Sequence, residues 1–190
     1  NVGDNVVTTL NSDLQATAYN ALGNNKGAVV VLEPSTGKIL AMVSKPSFDA
    51  NTVSENWDNL INDKNSVLVN RATQGQYAPG SVFKLVTTLS FMRQNADYEA
   101  YLNDCSGEMT VDGTTIHCYA NQAHGQETLA DAVANSCNTA FSGIGLQLDI
   151  SKWQDTAKDL LFNTKLKCDL VSNQSSFSLD KSAGSASVMM

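Results

Sequence analysis

Residues 77–86 read YAPGSVFKLV. Pro79 and Gly80 break the chain, Ser81 follows, and Lys84 sits inside an apolar run of Phe83, Leu85, Val86 and Leu89. The pattern predicts a helix from Ser81 to about Arg93, on which positions i and i+3 are neighbours, so Lys84 can reach the hydroxyl of Ser81. A serine hydroxyl is a poor nucleophile until a base takes its proton. A desolvated lysine can be that base, because an apolar setting disfavours the ammonium. The helix start adds free N–H groups and a positive dipole end, both favourable to developing negative charge. The bland reading is a lysine that snorkels from a structural helix. Ser-x-x-Lys also occurs at Ser35/Lys38, in a hairpin turn, and at Ser178/Lys181, in a polar tail, so only its apolar context singles out Ser81.

A partner motif lies 55 residues further on, at Ser136-Cys137-Asn138. The pattern predicts one helical region from Thr128 to Leu148, with Leu129, Val133, Phe141, Ile144 and Leu148 apolar. Ser136 and Asn138 then form a polar patch within it, and such groups are costly in a core unless partnered or used. Ser136 could pass a proton between Lys84 and a leaving amine, and the Asn138 amide could hold a peptide group. Otherwise the patch is a helix interruption satisfied by its own backbone.

The chain has 190 residues, 42% hydrophobic and 16% charged, which suits one domain or a large part of one. Its net charge of −7 repels phosphate backbones and argues against nucleic acid as a partner. No apolar run reaches the ~18–20 residues of a membrane span. The abrupt start at Asn1 and the apolar end Ser187-Val188-Met189-Met190 suggest a segment of a longer chain, so nothing here speaks against an anchor elsewhere.

Of the four cysteines, Cys105 and Cys118 bracket a hairpin predicted around Asp112-Gly113. A disulfide closing it would contribute ~3 kcal/mol; two free thiols are the alternative. Cys105, His117, Cys118 and His124 could be read as a metal set, but their spacing is too long and loose for a zinc knuckle. No metal or other cofactor is expected.

Elsewhere, Val6–Thr9 reads as a strand, and Asn11, Ser12 and Asp13 can cap a helix that Gly23 closes near Leu22. Ala28–Leu32 and Ile39–Val43 flank Pro34-Ser35-Thr36-Gly37 as a hairpin apolar enough for a covered sheet. Residues 46–66 read as a loop, Trp153–Leu161 as a short helix, and 172–187 as a weakly patterned serine-rich tail. Strands followed by helices indicate an α+β or mixed α/β fold, a sheet covered by helices.

YAPGSVFK followed by SCN resembles the first two active-site motifs of the penicillin-binding proteins, the serine D,D-transpeptidases. Likeness extends through GAVVVLEPSTGKILAMVSKPSFDAN, LVNRATQGQYAPGSVFK and the stretch from Cys105 to Phe141, with TTLNSDLQATAYNAL similar to the helix that starts the domain. It covers roughly residues 6–150 and is nearest the class B, monofunctional type. The resemblance implies a central antiparallel sheet flanked by helices. It also implies that Ser81 is acylated by the penultimate D-Ala of a peptidoglycan stem peptide, with Lys84 as base, Ser136 as proton relay and Asn138 binding the peptide amide. β-Lactams would acylate the same serine as mimics of D-Ala-D-Ala. The family's setting implies a protein tethered at the outer face of the cytoplasmic membrane, beside a glycan polymerase. Its third motif, Lys-Thr/Ser-Gly on a strand, is missing; Lys181-Ser182-Ala183 lacks the glycine. The 190 residues then form the N-terminal and helical part of a single transpeptidase domain, not competent alone. Rival readings are a β-lactam sensor that acylates without turnover, a β-lactamase, for which no base glutamate is evident, and a catalytically dead domain, against which the Ser81/Lys84 pair argues.

Overall fold

A computed structural model describes residues 3–167, 169–180 and 182–188. It divides into two compact units, Asn1–Tyr77 with Lys167–Asn173, and Ala78–Leu166 with Gln174–Met190. Lys181, of the near-miss motif, and Cys168 lie outside the described residues.

In the first unit, helix α1 (Ser12–Ala21) starts at Asn11, whose side chain accepts from the N–H groups of Asp13 and Leu14, satisfying two donors the helix leaves open. Strands β1 (Gly27–Glu33) and β2 (Lys38–Lys45) form the expected antiparallel hairpin. The Gln15 amide clasps α1 to β2 by bonding both the N–H and the C=O of Met42. Ala18 packs on Ala41 and Val43, a small core. The opposite hairpin face is not covered within the unit: Val30 and Leu32 are exposed. Val6–Thr9 forms no strand; Val6 and Val7 are exposed, because the segment bonds its neighbour only at Thr9 Oγ1 to the Ile39 carbonyl rather than along a ladder. The segment expected to be a loop contains helix α2 (Val53–Ile61). Its Val53, Trp57 and Ile61 recur every four residues, a helical signal masked by the surrounding Asn and Asp.

The second unit carries the motifs. A 3-10 turn (Gly80–Phe83) leads into α3 (Lys84–Gln94), so the helix proper begins at the lysine rather than the serine. Strands β4 (Glu108–Val111) and β5 (Thr114–His117) are the expected hairpin, with Asp112 and Gly113 in the turn. Unforeseen, β3 (Leu102–Cys105) pairs antiparallel with β6 (Gly125–Thr128) and closes the base of that hairpin. The single helix expected over Thr128–Leu148 is two, α4 (Leu129–Ala134) and α5 (Asn138–Gln147), followed by α6 (Ile150–Asp159) and a short α7 (Ser185–Val188). Val86 and Phe91 from α3, Ala140, Phe141 and Ile144 from α5, and Trp153 and Ala157 from α6 belong to one buried core. Phe83 closes it edge-on to Phe162 at 5.5 Å and against Phe177 at 4.6 Å. Gly145 is required where α5 meets α7: a β-carbon there would lie 1.9 Å from the Val188 carbonyl oxygen. Among the described residues no helix is long and apolar enough to cross a membrane.

Candidate active site

The 3-10 turn keeps the i, i+3 relation of Ser81 and Lys84, because the Lys84 N–H donates to the Ser81 carbonyl and side chains three apart eclipse in that geometry. Ser81 is exposed, whereas Lys84 is only 9% exposed. The lysine therefore does not snorkel. Its Nζ donates to the Ser136 carbonyl at 2.6 Å, the Ser136 hydroxyl at 3.0 Å and the Asn138 Oδ1 at 2.6 Å. An ammonium has three donors, and all three are engaged. Three of the four residues singled out in the sequence thus meet at one nitrogen, and the fourth opens the same turn.

The interruption between α4 and α5 makes this possible. The Cys137 N–H donates to the Ala132 carbonyl at 2.9 Å and the Ser136 N–H to the Val133 carbonyl at 3.1 Å. Those two bonds define a Schellman ending of α4, with Ser136 in the left-handed position that glycine usually takes. Its φ is 51°. The patch is thus satisfied by its own backbone and used as well. The turn aims the Ser136 carbonyl and hydroxyl at Lys84, and Cys137 then caps α5 by accepting from the Ala140 N–H. Asn138 is engaged at both ends, its Nδ2 donating to the His117 carbonyl at 2.8 Å.

Burial holds the Lys84 pKa below the ordinary 10.5, against the opposing pull of Cys137 and Cys118. Desolvation disfavours the ammonium relative to the neutral amine. Lys84 Nζ also lies 5.5 Å from the centre of the Phe141 ring.

Behind Ser136 and Asn138 lies a buried polar cluster that the sequence reading assembled only in part. Cys105 and Cys118 are free thiols with sulfurs 3.6 Å apart, and Cys118 is 3.8 Å from Cys137. Cys105 also meets His124 Nδ1 at 3.4 Å. His117 stays outside, 3.3 Å from Glu108. The donor atoms of Cys105, Cys118, His124 and Cys137 all lie within 4.8 Å of one another, so these four could hold a metal ion that takes sulfur and nitrogen ligands. Their separation in sequence hid this, because the β3–β6 pairing folds distant positions together. Burial raises the Cys105 pKa, but hydrogen bonds from Thr139 and from the backbone at His124 and Gly107 outweigh it and bring it to about 6. Cys137 is pushed up to about 12 by burial and then by the Glu127 carboxylate.

The penicillin binding protein transpeptidase domain matches residues 27–190. Peptidoglycan D,D-transpeptidase PbpA of Mycolicibacterium smegmatis is 37% identical over 173 residues, 82% of this chain and 35% of that protein. MrdA of Acinetobacter baumannii, also a peptidoglycan D,D-transpeptidase, is 28% identical over 90% of this chain and 26% of its own length. Among solved structures, penicillin-binding protein A from M. tuberculosis, as its ceftriaxone acyl-enzyme, superposes with a TM-score of 0.86 at 30% identity, covering 96% of this chain and 45% of that one. The D,D-transpeptidase domain from Eggerthella lenta gives 0.79 at 34% identity, over 88% of this chain and 40% of that one. The chain spans about a third of the length of the PbpA relatives it matches. A buried lysine joining two separated motifs, on the α+β fold shared with these structures, places the chain in the transpeptidase domain family of the penicillin-binding proteins.

Proposed function

We propose that the protein carrying this chain is a class B peptidoglycan D,D-transpeptidase. Lys84 takes the proton of the Ser81 hydroxyl as its oxygen attacks the carbonyl of the penultimate D-Ala. The positive end of the turn and helix that Ser81 opens favours the negative charge that develops on that carbonyl. Ser136, hydrogen-bonded to the Lys84 amine, relays the proton to the departing D-Ala nitrogen as the C–N bond breaks. The ester on Ser81 is then attacked by a second stem peptide's amine, which forms the cross-link and returns the proton along the same path. The Asn138 amide orients the stem peptide. β-Lactams open on Ser81 by the first half of this path.

The single observation behind this reading is the amine of Lys84 held by Ser136 and Asn138 in a buried setting. Relatives support it: penicillin-binding protein A from M. tuberculosis forms acyl-enzymes with penicillin G and imipenem. The Helicobacter pylori PBP2 structure in complex with MreC, at 27% identity and a TM-score of 0.77, suggests a partner of that kind. The same reading puts the protein at the outer face of the cytoplasmic membrane, beside a glycan polymerase, with a Lys-Thr/Ser-Gly strand supplied from outside these residues.

The test is turnover by the whole protein of a D-Ala-D-Ala stem peptide with an acceptor amine. Release of D-Ala matched by cross-linked product is expected. Acylation by penicillin without peptide turnover would make the protein a sensor, and absence of both would refute the reading.

A further inference from the structure

Glu127, on β6, is 1% exposed, so its carboxyl group is held away from water. Such groups are costly to bury and persist where they are partnered or used. Glu127 Oε1 accepts from Asn135 Nδ2 at 2.9 Å and lies 3.8 Å from His124 Nδ1. Its Oε2 has no hydrogen-bond partner among the described residues. Asn135 immediately precedes Ser136 in the chain, so the buried carboxyl holds the entry side of the left-handed turn.

That grip has a specific target. Asn135 is the C-cap of α4, and its own side chain is otherwise exposed to solvent. The turn holds Ser136 in a conformation that non-glycine residues disfavour. Without an external restraint the turn can relax, and the Ser136 carbonyl, the Ser136 hydroxyl and the Asn138 amide would move off the Lys84 amine together. We infer that Glu127 is a positioning residue for the acylation step: acting through Asn135, it fixes the turn that presents Ser136 and Asn138 to Lys84. The inference rests on the proposed acylation of Ser81. Among the described residues the Glu127 carboxylate has hydrogen-bond or ion-pair contacts with Asn135 and His124, not with Ser81 or Lys84. Its effect is on geometry alone.

The experiment uses the whole protein and penicillin G, and separates the binding constant from the first-order acylation constant. The variants are Asn135→Ala, Glu127→Ala, Glu127→Gln and the double Asn135→Ala/Glu127→Ala. Asn135→Ala alters an exposed side chain and so keeps the test alive if Glu127→Ala fails to fold. Asn135→Ala is expected to slow the acylation constant roughly tenfold or more, with binding changed less than about twofold, as small misplacements of catalytic groups do. Glu127→Gln, whose amide oxygen can still accept from Asn135, should recover to within about threefold of the wild type. The double variant should be no slower than roughly twofold below the slower single, since both remove one interaction. A wild-type acylation constant in Asn135→Ala, a loss confined to binding, no recovery in a folded Glu127→Gln, or single losses that multiply in the double variant would each overturn the inference. An unlabelled Ser81 in the wild type would overturn the proposed function and, with it, this inference. Normal labelling with unaffected variants would sink the inference alone.

Discussion

Two residues of the second unit occupy nearly the same left-handed backbone conformation, Asp112 with φ 50° and Ser136 with φ 51°. Their surroundings make them opposites. Asp112 precedes Gly113 in the exposed two-residue turn between β4 and β5, where consecutive positive φ angles suit the twist of a hairpin. Aspartate and glycine both tolerate that conformation, so the turn is cheap. Ser136 stands where a helix ends and glycine is the usual occupant. Its hydroxyl is what a glycine lacks, and that hydroxyl meets Lys84. One turn follows local preference. The other departs from it to place a polar atom, at a conformational cost of ~1 kcal/mol. A left-handed residue held against a buried amine points to function, where one in an exposed hairpin turn points to folding.

The contrast is sharpest when the base itself is removed. Lys84→Ala should reduce Ser81 acylation by ~10³-fold or more, at the upper part of the range for a general base, measured as the rate of labelling by a fluorescent penicillin. Lys84→Arg should be equally inactive, because a guanidinium keeps its proton.

Next in size is Ser136→Gly. It should slow acylation by ~10²-fold while raising thermal stability by up to ~1 kcal/mol, since glycine relieves the left-handed strain. Slower labelling together with a higher melting temperature would set function against folding at one residue. A lower melting temperature would break the comparison.

The pH profile follows from burial of the amine. As the proposed base Lys84 must be neutral to accept the proton, and desolvation lowers its pKa. The acylation rate should therefore climb with pH, with its midpoint below 10.5, the ordinary lysine value. A climb centred at or above that value in a pH titration of the labelling rate would mean the amine is not desolvated when it works.

Smallest is Asp112→Ala, which replaces a left-handed aspartate in an exposed turn and removes the acceptor of the Ser185 hydroxyl. It should cost ~0.5–1 kcal/mol of stability by chemical denaturation and leave the labelling rate unchanged.

The sequence showed most where local rules act alone. Asn11 before α1, the paired apolar runs of β1 and β2, and Asp112-Gly113 between β4 and β5 were all legible, because each is settled within a few residues. Ser81, Lys84, Ser136 and Asn138 were legible as two motifs, but the bonds joining them were not, since no local pattern fixes how α3 meets the α4–α5 turn. The break at Ser136 was legible only as the alternative reading, because Ala134, Thr139 and Ala140 around it do not disturb a helical pattern and no glycine marks the stop. The β3–β6 pairing was hidden because Leu102–Cys105 and Gly125–Thr128 are short and polar and meet across about twenty residues. With it went Glu127, which looks in sequence like any exposed acid, and the company that Cys105, Cys118 and His124 keep with Cys137.

The most direct measurement is mass-spectrometric mapping of penicillin G on the whole protein, wild type beside Lys84→Ala, after a short exposure at neutral pH. A single covalent adduct on the peptide bearing Ser81, formed by the wild type and not by the variant, is the expected result. An adduct on another residue, or equal labelling of Ser81 without Lys84, would contradict a buried amine as the base that activates the serine.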